Sequence, residues 1–169
     1  MLQLKKILII SLMFFITSLL AVTCLNAADH SRTDTVFRQL SAQIVKRVAT
    51  SAGLAPKARQ RSDKRPAFVL DYGNFNGNLI LDGCGRNGQC TGLTLLGFFS
   101  GSSASLEAVN SWNSNGAYVT AYLSDDKDLV VAYWLDVKAG VTLQNINQFL
   151  STYKSGVVAV AKKVSAYKK

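Results

Sequence analysis

Apolar and polar positions change period several times along the chain, and each change marks an element. Lys5 and Lys6 precede an apolar run from Ile7 to Val22, broken only by Ser11, Thr17 and Ser18. Val36, Leu40, Ile44 and Val48 then recur at helical spacing with Phe37 beside them. This predicts a helix over about 35–51, capped by Thr35 or Asp34 and stopped by Gly53 ahead of Pro56. From Ala67 the period becomes two. Phe68, Leu70 and Tyr72 alternate with Val69 and Asp71, residues 73–77 read as a turn, and Leu79 and Leu81 flank Ile80 in a second strand. A third strand spans Thr91 to Phe99. Its apolar residues fall on both sides, Leu93, Leu95 and Phe99 against Leu96 and Phe98, which predicts cover on both faces.

Leu106, Val109 and Trp112 share one face of a short helix that Asn115 and Gly116 end. Two alternating strands follow, about 117–123 and 129–137, on either side of Ser124–Asp128. A five-residue connection sets their register. It places Ala117, Val119, Ala121 and Leu123 with Leu129, Val131, Tyr133 and Leu135, and it puts Tyr118, Tyr122 and Trp134 together on the other face. Gly140 marks a turn and Thr142 a cap. Leu143, Ile146, Phe149, Leu150, Tyr153, Val157, Val160 and Val164 then trace a long helical stripe, interrupted by Gly156 at a cost of about 1 kcal/mol against Ala.

The order α-β-β-β-α-β-β-α, with short connections between strands, predicts an α+β domain: an antiparallel sheet of about five strands with helices packed on it. Residues 35–169 make this single domain, with a basic loop at 55–66 and a lysine-rich C-terminal tail; residues 28–34 are a disordered lead. Residues 1–27 have the charged start, apolar middle and small-residue end of a signal peptide, with cleavage after Ala27 or Ala28. The competing reading is an uncleaved anchor, but the run is short of the roughly 20 residues a spanning helix needs. Cys24 fits a lipoprotein signal poorly. The expected location is the periplasm or the exterior of the cell.

Only Cys84 and Cys90 follow the cleavage point, and an even count in an exported chain favours a disulfide. Zinc is the rival, but His30, beside the cleavage site, is the only histidine. A redox-active pair is the other rival, and the spacing is not Cys-x-x-Cys. The body has no histidine to serve as a catalytic base, and Glu107 is its only glutamate. Asp125, Asp126 and Asp128 lack the glycine and closing glutamate of a calcium loop. No catalytic residue, metal or cofactor is expected.

The formal net charge of +9 is uneven: both flanks are basic and the segment between them is mildly acidic. Lys57, Arg59, Arg61, Lys64 and Arg65 form the densest cluster. Nucleic acid is not the expected partner, because an exported protein rarely meets it and no aromatic side chain lies between Ala55 and Pro66 to stack on bases. An anionic membrane surface and a solvated loop are the two readings that remain. Tyr118, Tyr122 and Trp134 are the candidate protein-interaction residues, since amphipathic aromatics supply large contact area with a polar handle. Burial under a helix is the competing reading of the same pattern.

Five pieces occur in a telling order: the cysteine pair Cys84 and Cys90, the helix Val109–Asn113 (Val-Asn-Ser-Trp-Asn), the strand Tyr118–Leu123 with its acidic turn, the strand Leu129–Asp136, and Ala139–Thr142 (Ala-Gly-Val-Thr). Over roughly Ala67 to Val164 this order resembles the YbjN-like family of bacterial sensory transduction regulators, with a weaker match for the first helix. The resemblance implies a type III secretion chaperone-like fold, an α+β domain that often dimerises and binds other proteins. It carries no catalytic residue to any position. Three functions follow. The first is an exported, non-enzymatic protein-binding, chaperone-like or regulatory module with an unknown protein partner and a homodimer as one form. The second is an envelope protein held at a membrane surface by its basic flanks. The third, against which the residue inventory argues, is a thiol redox enzyme or hydrolase.

Overall fold

A computed structural model describes residues 35–115 and 118–166. The leader, the lead at 28–34, Cys24, His30, Asp34, Gly116, Ala117 and the last three residues of the lysine-rich tail lie outside the described residues.

The elements in chain order are β1 (Leu40–Ser41), α1 (Ala42–Ser51), β2 (Lys57–Arg59), β3 (Ala67–Asp71), β4 (Asn76–Asp82), β5 (Gln89–Cys90), β6 (Gly92–Phe99), α2 (Leu106–Asn113), β7 (Thr120–Leu123), β8 (Leu129–Asp136) and α3 (Leu143–Ala166). Six strands form one antiparallel-paired sheet in the order β2-β3-β4-β6-β8-β7. β7 lies outside β8 although it precedes it in sequence. α2 therefore connects β6 to a strand parallel to it, two positions away, and β8 fills the gap.

The α+β class and the antiparallel pairing are as expected, while the strand count is higher. The connection at 55–66 is not a plain basic loop: Lys57, Ala58 and Arg59 pair with Val69, Phe68 and Ala67 as an edge strand. The first helix begins at Ala42 rather than near residue 35, and Ser41 is its cap, accepting a hydrogen bond from the Ile44 amide. Leu40 keeps its place in the apolar period but is buried from a strand, β1, paired with β5 across Leu40 and Cys90. Phe37 forms a further bridge to Val141, with amide-to-carbonyl bonds of 2.7 and 2.8 Å. These contacts are long-range, and they override a helical pattern that local spacing alone would extend.

The three helices of the described residues pack on one face of the sheet. Their buried residues join Phe68, Leu70, Leu79, Leu81, Leu93, Leu95, Ala121, Leu129 and Val131 in a single core. Tyr153, in the middle of α3, is completely buried and its ring lies over two glycines of the sheet. A Cβ on Gly77 would come within 3.1 Å of that ring, and one on Gly97 within 2.6 Å of its hydroxyl oxygen. The sheet is therefore hollowed to accept the tyrosine, whose hydroxyl donates to the Val131 carbonyl at 3.4 Å. Gly156, one turn on, meets Val119: an added Cβ would lie 2.5 Å from a valine methyl. The helical interruption is thus a close approach between α3 and the chain leading into β7. Burial pushes the Tyr72 and Tyr153 hydroxyls well above the ordinary tyrosine range.

Candidate protein-interaction face

The period of two places the other half of each strand on the far side of the sheet, away from the helices. Across β6, β8 and β7 the register aligns Phe98 with Val130 and Tyr122, then Leu96 with Ala132 and Thr120, and Thr94 with Trp134. Val130 and Ala132 are buried, yet the large side chains around them are not. Phe98 is 54 % exposed, Tyr122 42 % and Trp134 64 %. The expectation that β6 is covered on both faces is corrected here: Leu96 is half-buried and Phe98 projects into solvent. Nothing in the local sequence marks the difference, because Leu95 and Leu96 are both leucine and only the tertiary packing decides which is sealed.

Leu123 pairs with Leu129, Ala121 with Val131 and Tyr122 with Val130, the register implied by the five-residue connection. Tyr122 and Trp134 therefore share the open face with Phe98. Tyr118, the most exposed of the candidates at 83 %, precedes β7 and instead lines a groove of about 430 Å³ with Trp112 and the Gln148–Ala159 stretch of α3. At the other end of the open face, Asp82 and Asp136 flank Gly92 in register, one row from Trp134. Asp82 is engaged by the guanidinium of Arg65 and the hydroxyl of Thr94. Asp136 is exposed and accepts from the Lys138 amide at 2.7 Å.

Both edges of the sheet are guarded. On the outer side of β7, the side-chain amide of Asn113 acts as a substitute strand: its nitrogen donates to the Ala121 carbonyl at 2.8 Å and its oxygen accepts from the Ala121 amide at 3.0 Å. The Trp112 indole adds a bond to the Val119 carbonyl at 2.9 Å. Trp112 is partly buried against the core, while Asn113 serves the neighbouring strand. The opposite edge, β2, is three residues long and bears Lys57 and Arg59, both features that discourage strand addition.

The five basic candidates are only partly available to an outside anion. Arg61 and Arg65 both hold Asp63, at 2.7 and 2.8 Å, and their hydrogen bonds keep its carboxyl far below the usual carboxylate range. Arg59 donates to the buried Asn78 side chain. Lys57 and Lys64 are exposed. Cys84 and Cys90 are joined in a disulfide. It closes the turn between β4 and β5, and because Cys90 pairs with Leu40 it sits beside the strand that leads into α1. Asp125, Asp126 and Asp128 form a hairpin tip, where Asp128 accepts from Ser100 and Lys127 takes a left-handed backbone angle. No cluster of three or more His, Cys, Asp or Glu side chains suited to a metal occurs among the described residues.

A family model described as "YbjN: Putative bacterial sensory transduction regulator" matches residues 41–164. Among solved structures, the chain is similar to the Yersinia pestis type III secretion chaperone SycH, crystallised in complex with a stable fragment of YscM2. The identity is 11 %, the TM-score 0.44, and the match covers 73 % of this chain and 98 % of that one. No curated protein matches.

Proposed function

Because the chain belongs to the YbjN family, we propose that it is a non-enzymatic, chaperone-like or regulatory module that binds another protein through the open face of its sheet. The observation that carries this reading is the set Phe98, Tyr122 and Trp134, exposed side by side over Val130 and Ala132. An uncovered group of large apolar side chains on one face is what an interface requires. Pairing through backbone is disfavoured at both edges, so the side chains of the face carry recognition. The partner presents apolar side chains with a basic residue alongside. That residue would meet the Asp136 carboxylate and the face of the Trp134 ring, where a cation is attracted by both.

The test replaces Tyr122 and Trp134 with Ser together. Wild-type protein immobilised and exposed to its own envelope extract should retain a defined set of proteins that the double variant loses, with the melting curve nearly unchanged. Retention of the same set by both proteins would remove the open face as the binding site.

Export completes the proposal. It rests on Lys5, Lys6 and the apolar run that follows, and it is consistent with a Cys84–Cys90 bond that oxidising compartments preserve. N-terminal sequencing of the protein isolated from the envelope should begin at Ala28 or Asp29. Finding Met1 intact on a cytosolic protein overturns it.

A further inference from the structure

On the helix-covered side of the sheet, away from Phe98 and Trp134, the loop after β6 passes over the C-terminal half of α3 and leaves a cavity of about 300 Å³. Phe99, Leu129, Val131, Val157 and Val164 supply its apolar walls, and Ser102 lines it from the loop. Among the described residues, the Ser102 Oγ is the one buried side-chain polar atom without a hydrogen-bond partner. An unpaired buried hydroxyl costs free energy, so its presence in an apolar wall calls for a reason.

We propose that this cavity binds a small uncharged amphiphile, a hydrocarbon body with a single hydrogen-bonding oxygen that meets Ser102. Three properties select that class. Water needs two to four polar partners to be held, and apart from Ser102 the lining holds one polar side chain, Ser103. No acidic, basic or histidine side chain lines the space, so a charged headgroup would be desolvated without a counter-ion. The volume is about twice that of a cavity known to take benzene, roughly 150 Å³, which sets the body at about eight to ten carbons. The loop that borders the cavity begins at Gly101, where the backbone is left-handed at φ 68°, a conformation glycine adopts without strain. This site does not depend on the open face or on any protein partner.

The probe is 1-octanol, titrated into isotope-labelled protein as it is isolated and followed by amide chemical shifts, with octanoate as the charged comparison. Saturable shifts should centre on Ser102, Val157 and Ala161, and octanoate should bind at least tenfold more weakly at neutral pH. Ser102→Ala should weaken octanol about tenfold while melting at the same or a higher temperature, since it removes an unpaired hydroxyl. Ala161→Trp, a change at an exposed rim position of α3, should abolish saturable binding without unfolding the domain. Octanol that only partitions without saturation, that binds Ser102→Ala as tightly as wild type, or that shifts the open face instead overturns the site.

Discussion

Leu95 and Leu96 are neighbours on β6, as are Phe98 and Phe99, and each pair is divided between the two faces of the sheet. Leu95 is sealed and Phe99 packs against the core, whereas Leu96 is half-buried and Phe98 stands in solvent. The same residue types therefore end in opposite environments. On one face Gly77 and Gly97 open a recess for Tyr153, and Gly156 lets α3 settle against Val119. On the other, small and β-branched residues at Ala132 and Val130 lie beneath aromatic side chains, and among the described residues no helix packs above them. The difference teaches that cover is decided where space is made for a partner element. Apolar character is common to both faces.

The largest way to break this comparison is on the sealed side. Tyr153→Ala should cost about 3–5 kcal/mol, because it leaves a ring-sized cavity over two glycines that have no side chains to refill it. A urea unfolding series measures it, and a loss under about 1 kcal/mol would mean the two faces are not so different. Asn113→Ala tests the guarded edge. It removes both bonds to Ala121 and should cost about 2 kcal/mol. It should also favour concentration-dependent association in sedimentation runs, through a newly open β7. Gly156→Ala sets helix propensity against packing. Propensity alone would add about 1 kcal/mol of stability. The 2.5 Å approach to Val119 should reverse the sign, for a net loss of about 1 kcal/mol by the same unfolding assay.

On the open side, Tyr122→Ser with Trp134→Ser should change stability by less than about 1 kcal/mol, since both rings are largely in solvent already. A sharp fall in melting temperature would show that the face is structural. The smallest effect belongs to Asp63. Its folded carboxyl is held well below the unfolded value by Arg61 and Arg65, so its contribution is present above about pH 4 and is lost as pH falls towards the folded value. The site is exposed, so Asp63→Asn should melt only slightly below wild type at pH 7, and the two curves should converge in acid.

Much of this architecture is legible in the sequence where a period runs long enough. The stripe from Ile146 to Val164 on α3 is buried as its spacing implies, and the β7–β8 register follows from the length of the acidic turn. The short strands are not legible. Two residues at β1 and β5, or three at β2, cannot display a period, and their partners lie far away along the chain. The start of α1 is obscured for the same reason: Leu40 satisfies the helical spacing, but it sits in a strand whose partner, Cys90, lies fifty residues on. The interaction face was half legible. Tyr122 and Trp134 could be put on one face from register, but their exposure could not, because an apolar run reads alike under a helix and in solvent. Asn113 as an edge cap gives no local sign at all, since its partner is fixed only once β7 is in place.

The position of β7 has a kinetic consequence. β7 is made before β8, yet among the sheet strands it touches only β8, which must lie between it and β6. β7 has no native seat on the sheet until its hairpin with β8 exists, and early docking of β7 directly beside β6 would be a trap with parallel pairing. The productive order is closure of the Ser124–Asp128 turn first, an event on the scale of about 1–10 μs, followed by docking of the hairpin as a unit. Changes at Leu123 and Leu129 should then slow folding more than they speed unfolding, while a change at β2, added at the far edge, should do the reverse.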